Sequence, residues 1–410
     1  MLHSMEAQLS LVSYRSYLNK EAFITDDDFN WALKCRRALH RIPELGFDLP
    51  RTRAFVAQAL ASLECTIDER PYGQSGLVAS IEGAKPGPTI MLRADMDALP
   101  IEEIAGREGR STISGNSHAC GHDGHMAIAL TVARILARHK ASMAGRLVLC
   151  FQPSEEPGGG ALAMIRDGVL EHYQPTQCYG LHLWSELRTG QLAVTSKALF
   201  ASCDKLSWTI KGTGGHGAIP HLAHDTVGAL AQLIQANYHL VAREVDAQEA
   251  AVISIGQLRA GSAHNVIPEA ISAGGTLRTQ SPASRSFILE RLNEIAEATG
   301  RQFKVSISIE ATGAIPACIS DQNAVANVRK AAAASLSRIC DPNVPYCTLA
   351  GEDMAEFLLR VPGCYFLVGC GNADRGITAP HHTAEFNIDE DALAIGASVL
   401  ALTVLNAMRT

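Results

Sequence analysis

Three short apolar stretches of the chain each end directly before polar side chains of the kinds that bind metals. They cover residues 89–94, 146–151 and 178–181, and helical patterns over residues 126–139 and 159–170 separate them. Strands that alternate with helices predict an α/β fold, here a mixed sheet flanked by helices. Because open α/β sheets place their ligand sites beyond the carboxyl ends of the strands, we expect one site at that edge.

A different pattern begins at about residue 195 and ends at about residue 309. It reads as strand, helix, two strands, helix and strand, over residues 205–211, 225–243, 251–255, 271–279, 284–299 and 305–309. That order is typical of a small α+β sandwich. The 410 residues of the chain also exceed the usual size of a single core. We therefore predict two domains, one built from residues 1–194 and 310–410, and an inserted one at 195–309.

Charge, apolar content and cysteine usage exclude several classes of protein. The formal net charge is −7 and no basic block stands out, which argues against a nucleic-acid partner. No apolar run approaches the roughly 20 residues of a membrane span, and the first residues lack the pattern of a signal peptide. The 11 cysteines are odd in number and scattered, which favours a reducing compartment. We expect a cytoplasmic protein that binds neither nucleic acid nor membrane.

The densest group of candidate metal ligands lies in residues 117–125. These residues read Ser-His-Ala-Cys-Gly-His-Asp-Gly-His. Thiol, imidazole and carboxylate are the ligands that borderline-soft divalent metals prefer. An isolated Cys-x-His is more often a buried thiol beside a helix cap. The surrounding glycines and histidines, placed directly before a helix, favour Cys120 and His122 as metal ligands.

Further candidates lie in three other segments. Adjacent side chains diverge after a strand, so one of Glu155 and Glu156 can bind a metal while the other acts as general base. An exposed acidic turn is the alternative for this pair. His182 follows an apolar strand, where a lone histidine is more often a core residue, and the pair His381–His382 is equally consistent with a surface loop.

Two acidic residues follow the strand at residues 89–94. Asp95 and Asp97 are candidates for a supporting role, in which they orient the ligating histidines. The alternative is a turn with a helix cap.

Taken in order, these motifs resemble those of the dinuclear metal-dependent aminoacylase and carboxypeptidase superfamily. The similarity is to its amidohydrolase branch, which includes hippurate hydrolases, N-acyl-L-amino acid amidohydrolases and hydrolases of auxin–amino acid conjugates. It covers nearly the whole chain from about residue 30, and the matching segments are residues 37–47, 92–100, 118–125, 151–157, 214–221, 265–268 and 275–278. The Cys-Gly-His-Asp-Gly-His run is highly specific to this branch.

The resemblance implies two divalent metal ions per subunit that share the thiolate of Cys120. His122 and His182 would complete one metal site, and Glu156 and His382 the other. Glu155 would be the general base. A Cys, His and Glu ligand set suits Mn or Zn, with Co or Ni as further options.

The resemblance also implies roles for the inserted domain as a lid and a dimerisation domain. His216 would stabilise the oxyanion and can act across a dimer, in the site of the neighbouring subunit. Asn265 and Arg278 would bind the carboxylate of a small-molecule substrate. We therefore expect a homodimer or a higher homo-oligomer.

The expected reaction is hydrolysis of the amide bond of N-acyl-L-amino acids to a carboxylic acid and a free amino acid. One alternative is a dipeptidase or carboxypeptidase on the same scaffold, because recognition of a free carboxylate by Arg278 serves both reactions. A relative that binds metals or small molecules without catalysis is a further alternative, but such a protein has no need of Glu155 as a base.

Overall fold

The computed structural model describes residues 14–20, 22–107 and 109–409. The contacts between Cα atoms divide the chain into two compact units. The smaller unit is Ala198–Cys318 with Cys347–Ala355, and the larger unit contains the other described residues. The bounds of the smaller unit differ from the predicted 195–309, since its last long strand continues to Ile315. The first 13 residues lie outside the described chain.

The strands in chain order are β1 (Thr66–Tyr72), β2 (Gly76–Glu82), β3 (Lys85–Asp95), β4 (Ala144–Gln152), β5 (Gln177–Arg188), β6 (Leu192–Ala193), β7 (Ala198–Phe200), β8 (Ser202–Lys211), β9 (Gly215–His216), β10 (Ala251–Arg259), β11 (Val266–Ile267), β12 (Ala270–Thr279), β13 (Ser306–Ile315), β14 (Cys318–Ile319) and β15 (Gly363–Gly371). The α-helices are α1 (Asp26–His40), α2 (Pro50–Ala61), α3 (His122–His139), α4 (Gly160–Arg166), α5 (Val169–Tyr173), α6 (Thr226–Glu244), α7 (Pro282–Phe303), α8 (Gln322–Ser335), α9 (Met354–Leu358) and α10 (Asp391–Ala407).

A mixed sheet forms the centre of the larger unit. Its seven strands have the order β1–β2–β4–β3–β5–β15–β6. β3 pairs in parallel with β4 and β5, and β5 pairs in parallel with β15, whereas the other neighbours are antiparallel. Every residue of β15 is buried, as expected for a central strand covered on both faces. The predicted α/β fold with a mixed sheet flanked by helices is confirmed.

Helices α3 and α10 are buried along most of their length because they pack between the sheet and the outer helices. The outer helix α1 begins with a capping box between Thr25 and Asp28. The carboxylate of Asp28 also lies 2.6 Å from Nη1 of Arg138, which ties α1 to the last turn of α3. Within the described part of the chain, no helix combines the length and the apolar character needed to cross a membrane.

The smaller unit contains an antiparallel sheet of four strands in the order β10–β12–β8–β13. Alternate residues of β8 are buried, and they form a core with residues of α6 and α7. Trp208 at its centre is fully buried. A separate short ribbon pairs β9 with β11 and places His216 opposite Val266. The arrangement is an α+β sandwich.

Candidate metal centre

The side chains predicted to bind metals lie near the carboxyl ends of the parallel strands. Asp95 is the last residue of β3, and Glu155 and Glu156 follow the end of β4. His182 lies within β5, which continues to Arg188 instead of ending before this histidine. The sheet therefore gathers its polar side chains at one edge, where an α/β fold usually binds its ligand.

A left-handed glycine turns the chain between Cys120 and His122. Gly121 has a φ of 89° and forms the N-cap of α3. Residues with a Cβ rarely adopt this conformation, which accounts for a glycine here. The ligand atoms of Cys120, His122 and His182 lie within 4.8 Å of one another, and all three residues are buried. The Sγ atom of Cys120 lies 3.5 Å from Nε2 of His182.

A second group of three ligand atoms shares the same sulfur. The ligand atoms of Cys120, Glu156 and His382 also lie within 4.8 Å of one another. Oε1 of Glu156 is 3.4 Å from Nε2 of His382 and 3.9 Å from Nε2 of His122. The structure thus brings the five predicted ligands together around one thiol.

The imidazole rings are oriented by main-chain carbonyl groups. Nδ1 of His122 lies 2.8 Å from the carbonyl oxygen of Asp97, and Nδ1 of His182 lies 2.8 Å from that of Leu183. Because a carbonyl oxygen only accepts, each Nδ1 carries the proton and donates it. In the neutral form of each ring the lone pair then lies on Nε2, as in histidines that bind metals.

Two buried polar atoms of the cluster make no hydrogen bond to any described residue. They are Nε2 of His122 and Oε1 of Glu156. Buried polar atoms in folded proteins almost always have a partner, since an unsatisfied one is costly. A divalent cation would satisfy both atoms, and the thiol, imidazole and carboxylate donors match a borderline-soft ion. The residues therefore fit a metal centre.

The pKa values in the cluster are strongly perturbed. Burial and the nearby Glu156 carboxylate raise the pKa of the Cys120 thiol well above its usual range. Burial lowers the pKa of His182 well below its usual range, so its ring is neutral, as a metal ligand must be. Although burial favours the acid form of Glu156, His382 and His122 lower the pKa of its carboxyl. A metal that binds Cys120 would therefore displace a proton from it.

Asp97 holds the main chain of the acidic pair. Its Oδ1 accepts a hydrogen bond from the N–H of Glu155 at 3.0 Å, and its Oδ2 accepts one from the N–H of Glu156 at 3.1 Å. The predicted role was to orient ligating histidines. Asp97 orients His122 through its carbonyl oxygen, and its carboxylate fixes residues 155–156.

Asp95 acts on a histidine that sequence reasoning did not select. Its Oδ1 lies 2.6 Å from Nδ1 of His125, and its Oδ2 accepts from Nη1 of Arg93 at 2.8 Å. Nε2 of His125 in turn accepts the N–H of Leu183 at 2.9 Å. His125 is therefore occupied at both nitrogens and fixes the strand that carries His182. Its place as the last histidine of the Cys-Gly-His-Asp-Gly-His run was the only signal for it.

His381 also has partners at both ring nitrogens. Nδ1 lies 3.1 Å from the hydroxyl of Ser185, and Nε2 lies 2.9 Å from the carbonyl oxygen of Leu183. His382 instead directs its Nε2 towards Glu156. The structure thus distinguishes two adjacent histidines, with His381 in a supporting position and His382 in the cluster.

The remaining predicted site residues belong to the smaller unit. His216 is exposed on β9, and its Nδ1 accepts a hydrogen bond from the N–H of Ala218 at 3.0 Å. The carbonyl oxygen of Asn265 accepts from the N–H of Gly217 at 2.8 Å, so Asn265 and His216 are neighbours. Arg278 lies on β12 opposite Cys203 of β8, and its Nη1 donates to the carbonyl oxygen of Leu277 at 3.3 Å.

Comparison with known proteins identifies the family. Residues 91–406 match peptidase family M20/M25/M40. The chain belongs to this family. M20 enzymes are hydrolases, and the family membership predicted from the sequence motifs is confirmed.

Relatives of this M20 chain extend over nearly its full length. It is 36% identical to an N-acetyl-L-cysteine deacetylase of Bacillus subtilis, over 87% of the chain and 83% of the relative. It is 33% identical to thermostable carboxypeptidase 1 of Saccharolobus solfataricus, over 91% of the chain and 94% of the relative. Among solved structures, the YXEP protein of Bacillus subtilis is a dinuclear metal binding peptidase from the M20 family. Its TM-score is 0.83 at 28% identity, over 94% of this chain and 100% of that one.

Proposed function

We propose that the protein is a metal-dependent amidohydrolase that cleaves the amide bond of N-acyl-L-amino acids. The products are a carboxylic acid and a free amino acid. The observation that carries this proposal is that two groups of candidate metal ligands share the thiol of Cys120. A further carboxylate, that of Glu155, belongs to the residue next to Glu156 in the chain. The similarity to an N-acetyl-L-cysteine deacetylase supports an acylated amino acid as substrate.

The proposed cofactor is a pair of divalent metal ions in each subunit. Cys120 would contact both ions, His122 and His182 would complete one site, and Glu156 and His382 the other. Mn or Zn suits this donor set best, and Co or Ni is also compatible with it. The dinuclear centre named for the YXEP protein supports two ions here. Such ions supply Lewis-acid polarisation of the amide carbonyl and lower the pKa of water.

Glu155 is the proposed general base. Asp97 fixes its main chain, and its neighbour Glu156 belongs to the cluster of candidate metal ligands, which supports a position for the Glu155 carboxylate beside the ions. Glu155 would take the proton from the attacking water and later give it to the leaving amine. Adjacent carboxylates with separate tasks are an efficient way to combine metal binding with general acid–base catalysis.

The smaller unit supplies the proposed residues for transition-state and substrate binding. Nδ1 of His216 accepts a main-chain N–H, so the ring proton lies on Nε2, which can donate to an oxyanion. Asn265 and Arg278 would bind the free carboxylate of the substrate, and a guanidinium matches a carboxylate with two parallel hydrogen bonds. We propose that this unit is a lid and dimerisation domain, with His216 serving its own or a neighbouring subunit.

A carboxypeptidase or dipeptidase activity is the second candidate. The 33% identity to a thermostable carboxypeptidase favours it, because that relative aligns over nearly its whole length. Both reactions break an amide bond next to a free carboxylate, and they differ in the group on the other side of that bond.

One experiment separates the two candidates. The purified protein is incubated with a panel of N-acyl amino acids and a matched panel of dipeptides, and the products are measured by mass spectrometry. Metal content is determined by elemental analysis on the same sample. We expect release of amino acids from the acylated panel, with two metal ions per subunit. Turnover of dipeptides alone would replace the first proposal by the second.

A cytoplasmic homodimer is the proposed context. No disulfide bond joins the described cysteines, and a reducing compartment favours this state. Light scattering on the purified protein measures the subunit number directly.

A further inference from the structure

The segment that carries His382 is held by a neighbouring segment of the larger unit. Arg107 donates from Nη1 to the carbonyl oxygen of Phe386 and from Nη2 to that of Glu385, both at 2.6 Å. The N–H of Ile104 donates to the carbonyl oxygen of Ala384 at 3.2 Å. A planar guanidinium that binds two successive carbonyl oxygens fixes both the position and the direction of a chain.

A buried carboxylate holds Arg107 in this orientation. Oε1 of Glu103 lies 2.8 Å from Nη1 of Arg107, and Oε2 accepts the N–H of Ser111 at 2.8 Å. Glu103 is only 4% exposed. Although burial favours the acid form, hydrogen bonds from His40, Ser111 and Arg107 hold the pKa of Glu103 at about 2. The carboxylate is therefore ionised under ordinary conditions.

His40 connects Glu103 to the helix that begins with His122. Its Nε2 lies 3.2 Å from Oε1 of Glu103, and its Nδ1 lies 2.7 Å from Oδ2 of Asp123. Since both nitrogens face carboxylate oxygens, the ring carries both protons. Nε of Arg36 lies 3.0 Å from the same oxygen of Asp123. We call the series Asp123, His40, Glu103 and Arg107 the ionic chain, and it runs from the start of α3 to the segment after His382.

The two groups of metal ligands differ in how firmly the structure holds them. His122 and His182 are buried within α3 and β5. The side chain of His382 is 52% exposed, and its φ of 62° lies in the left-handed region that non-glycine residues avoid. Such a conformation persists only where the surroundings impose it. The N–H of His382 donates to the carbonyl oxygen of Ala119, and Ile104 and Arg107 hold the main chain of residues 384–386 that follow.

We propose that Arg107 and Glu103 are positioning residues for the metal ion held by Cys120, Glu156 and His382. They set the affinity of this ion and leave the ion at His122 and His182 unaffected. The inference rests on the proposed two-metal function. Neither residue contacts a proposed ligand side chain, so each acts through the main chain of the segment after His382.

The test is a metal titration of the metal-free protein with Zn²⁺ alone, by equilibrium dialysis and elemental analysis. Substitution of residues that orient metal ligands typically lowers metal affinity by about 10- to 100-fold. In Arg107→Met we expect a loss of that size for one equivalent and no change for the other. Arg110→Met is the matched control, because Arg110 is exposed on the same segment. It should bind both equivalents as the wild type does.

Two further variants keep the test decisive. Arg107→Lys retains the charge and one donor, so it should recover part of the affinity. Glu103→Gln removes the charge at nearly constant size, and it replaces Arg107→Met if that variant does not fold. Unchanged binding of both equivalents in Arg107→Met and Glu103→Gln would overturn the inference, as would equal weakening of both. A wild type that binds two equivalents but hydrolyses no N-acyl amino acid would overturn the proposed reaction alone.

Discussion

The carboxylate of Asp97 offers a sharp test of how the general base is held. It accepts one hydrogen bond from the N–H of Glu155 and one from the N–H of Glu156. In Asp97→Asn the side chain keeps its shape but has one acceptor oxygen. Its NH₂ group then faces one of the two N–H groups, whichever way the amide is turned. One hydrogen bond is lost, and the NH₂ group of the new asparagine faces a main-chain N–H group, which is also a donor.

The size of the effect follows from the charge on the acceptor. Hydrogen bonds to charged groups contribute about 1.5–3 kcal/mol each. If that loss displaces Glu155 in the transition state, kcat falls by about 10- to 150-fold, since about 1.4 kcal/mol corresponds to a factor of ten in rate. KM should change much less, because Asp97 has no proposed contact with the substrate.

The assay is steady-state hydrolysis of an N-acyl amino acid at saturating divalent metal, so that a weaker metal site does not limit the rate. Asp167→Asn is the matched control, since Asp167 also accepts a main-chain N–H, but from Gly73 at 2.6 Å instead of from the acidic pair. Wild-type kcat in metal-saturated Asp97→Asn would refute the idea that this carboxylate positions the base.

Four further predictions follow from the same structure. Glu155→Gln should keep its metals, measured by elemental analysis, and lose turnover by orders of magnitude, because it removes the base; normal activity would exclude that role. Cys120→Ala should lower metal content and activity together, whereas Cys347→Ala, at an exposed thiol, should change neither. His216→Ala should lower kcat by about 100- to 1000-fold with little change in KM or metal content. The pKa of Glu103 is about 2, below that of an unfolded chain, so its stabilisation is complete above about pH 4.3 and is lost as the pH falls towards 2. Acid titration of the metal-free protein should therefore lower the free energy of unfolding more in the wild type than in Glu103→Gln.

The sequence predicted the central sheet and its polar edge because buried parallel strands are continuous apolar runs. β3 and β4 show this pattern, and the acidic residues after them were therefore placed at the strand ends. β1 gave no such signal, since its residues Thr-Ile-Asp-Glu-Arg-Pro-Tyr are largely exposed at the edge of the sheet. β5 was predicted too short, because it continues beyond its apolar part to Arg188.

The candidate site was predictable in its residue types and less so in its contacts. Sequence spacing placed Cys120 and His122 at a helix start, but it contained nothing to separate His381 from His382. That distinction depends on which ring meets the carbonyl oxygen of Leu183. The ionic chain was also not predicted, since its members His40 and Asp123 are 83 positions apart in sequence.

The main-chain carbonyls of Asp97 and Leu183, which orient His122 and His182, have a consequence for genetic studies of this enzyme. A codon change at position 183 alters the side chain and leaves the carbonyl oxygen in place. Saturation mutagenesis at this position would therefore report on the packing of the fully buried Leu183 side chain and not on the carbonyl group. An amide-to-ester replacement between residues 183 and 184, introduced by semisynthesis, weakens that carbonyl as an acceptor and would expose a dependence that the genetic code cannot reach.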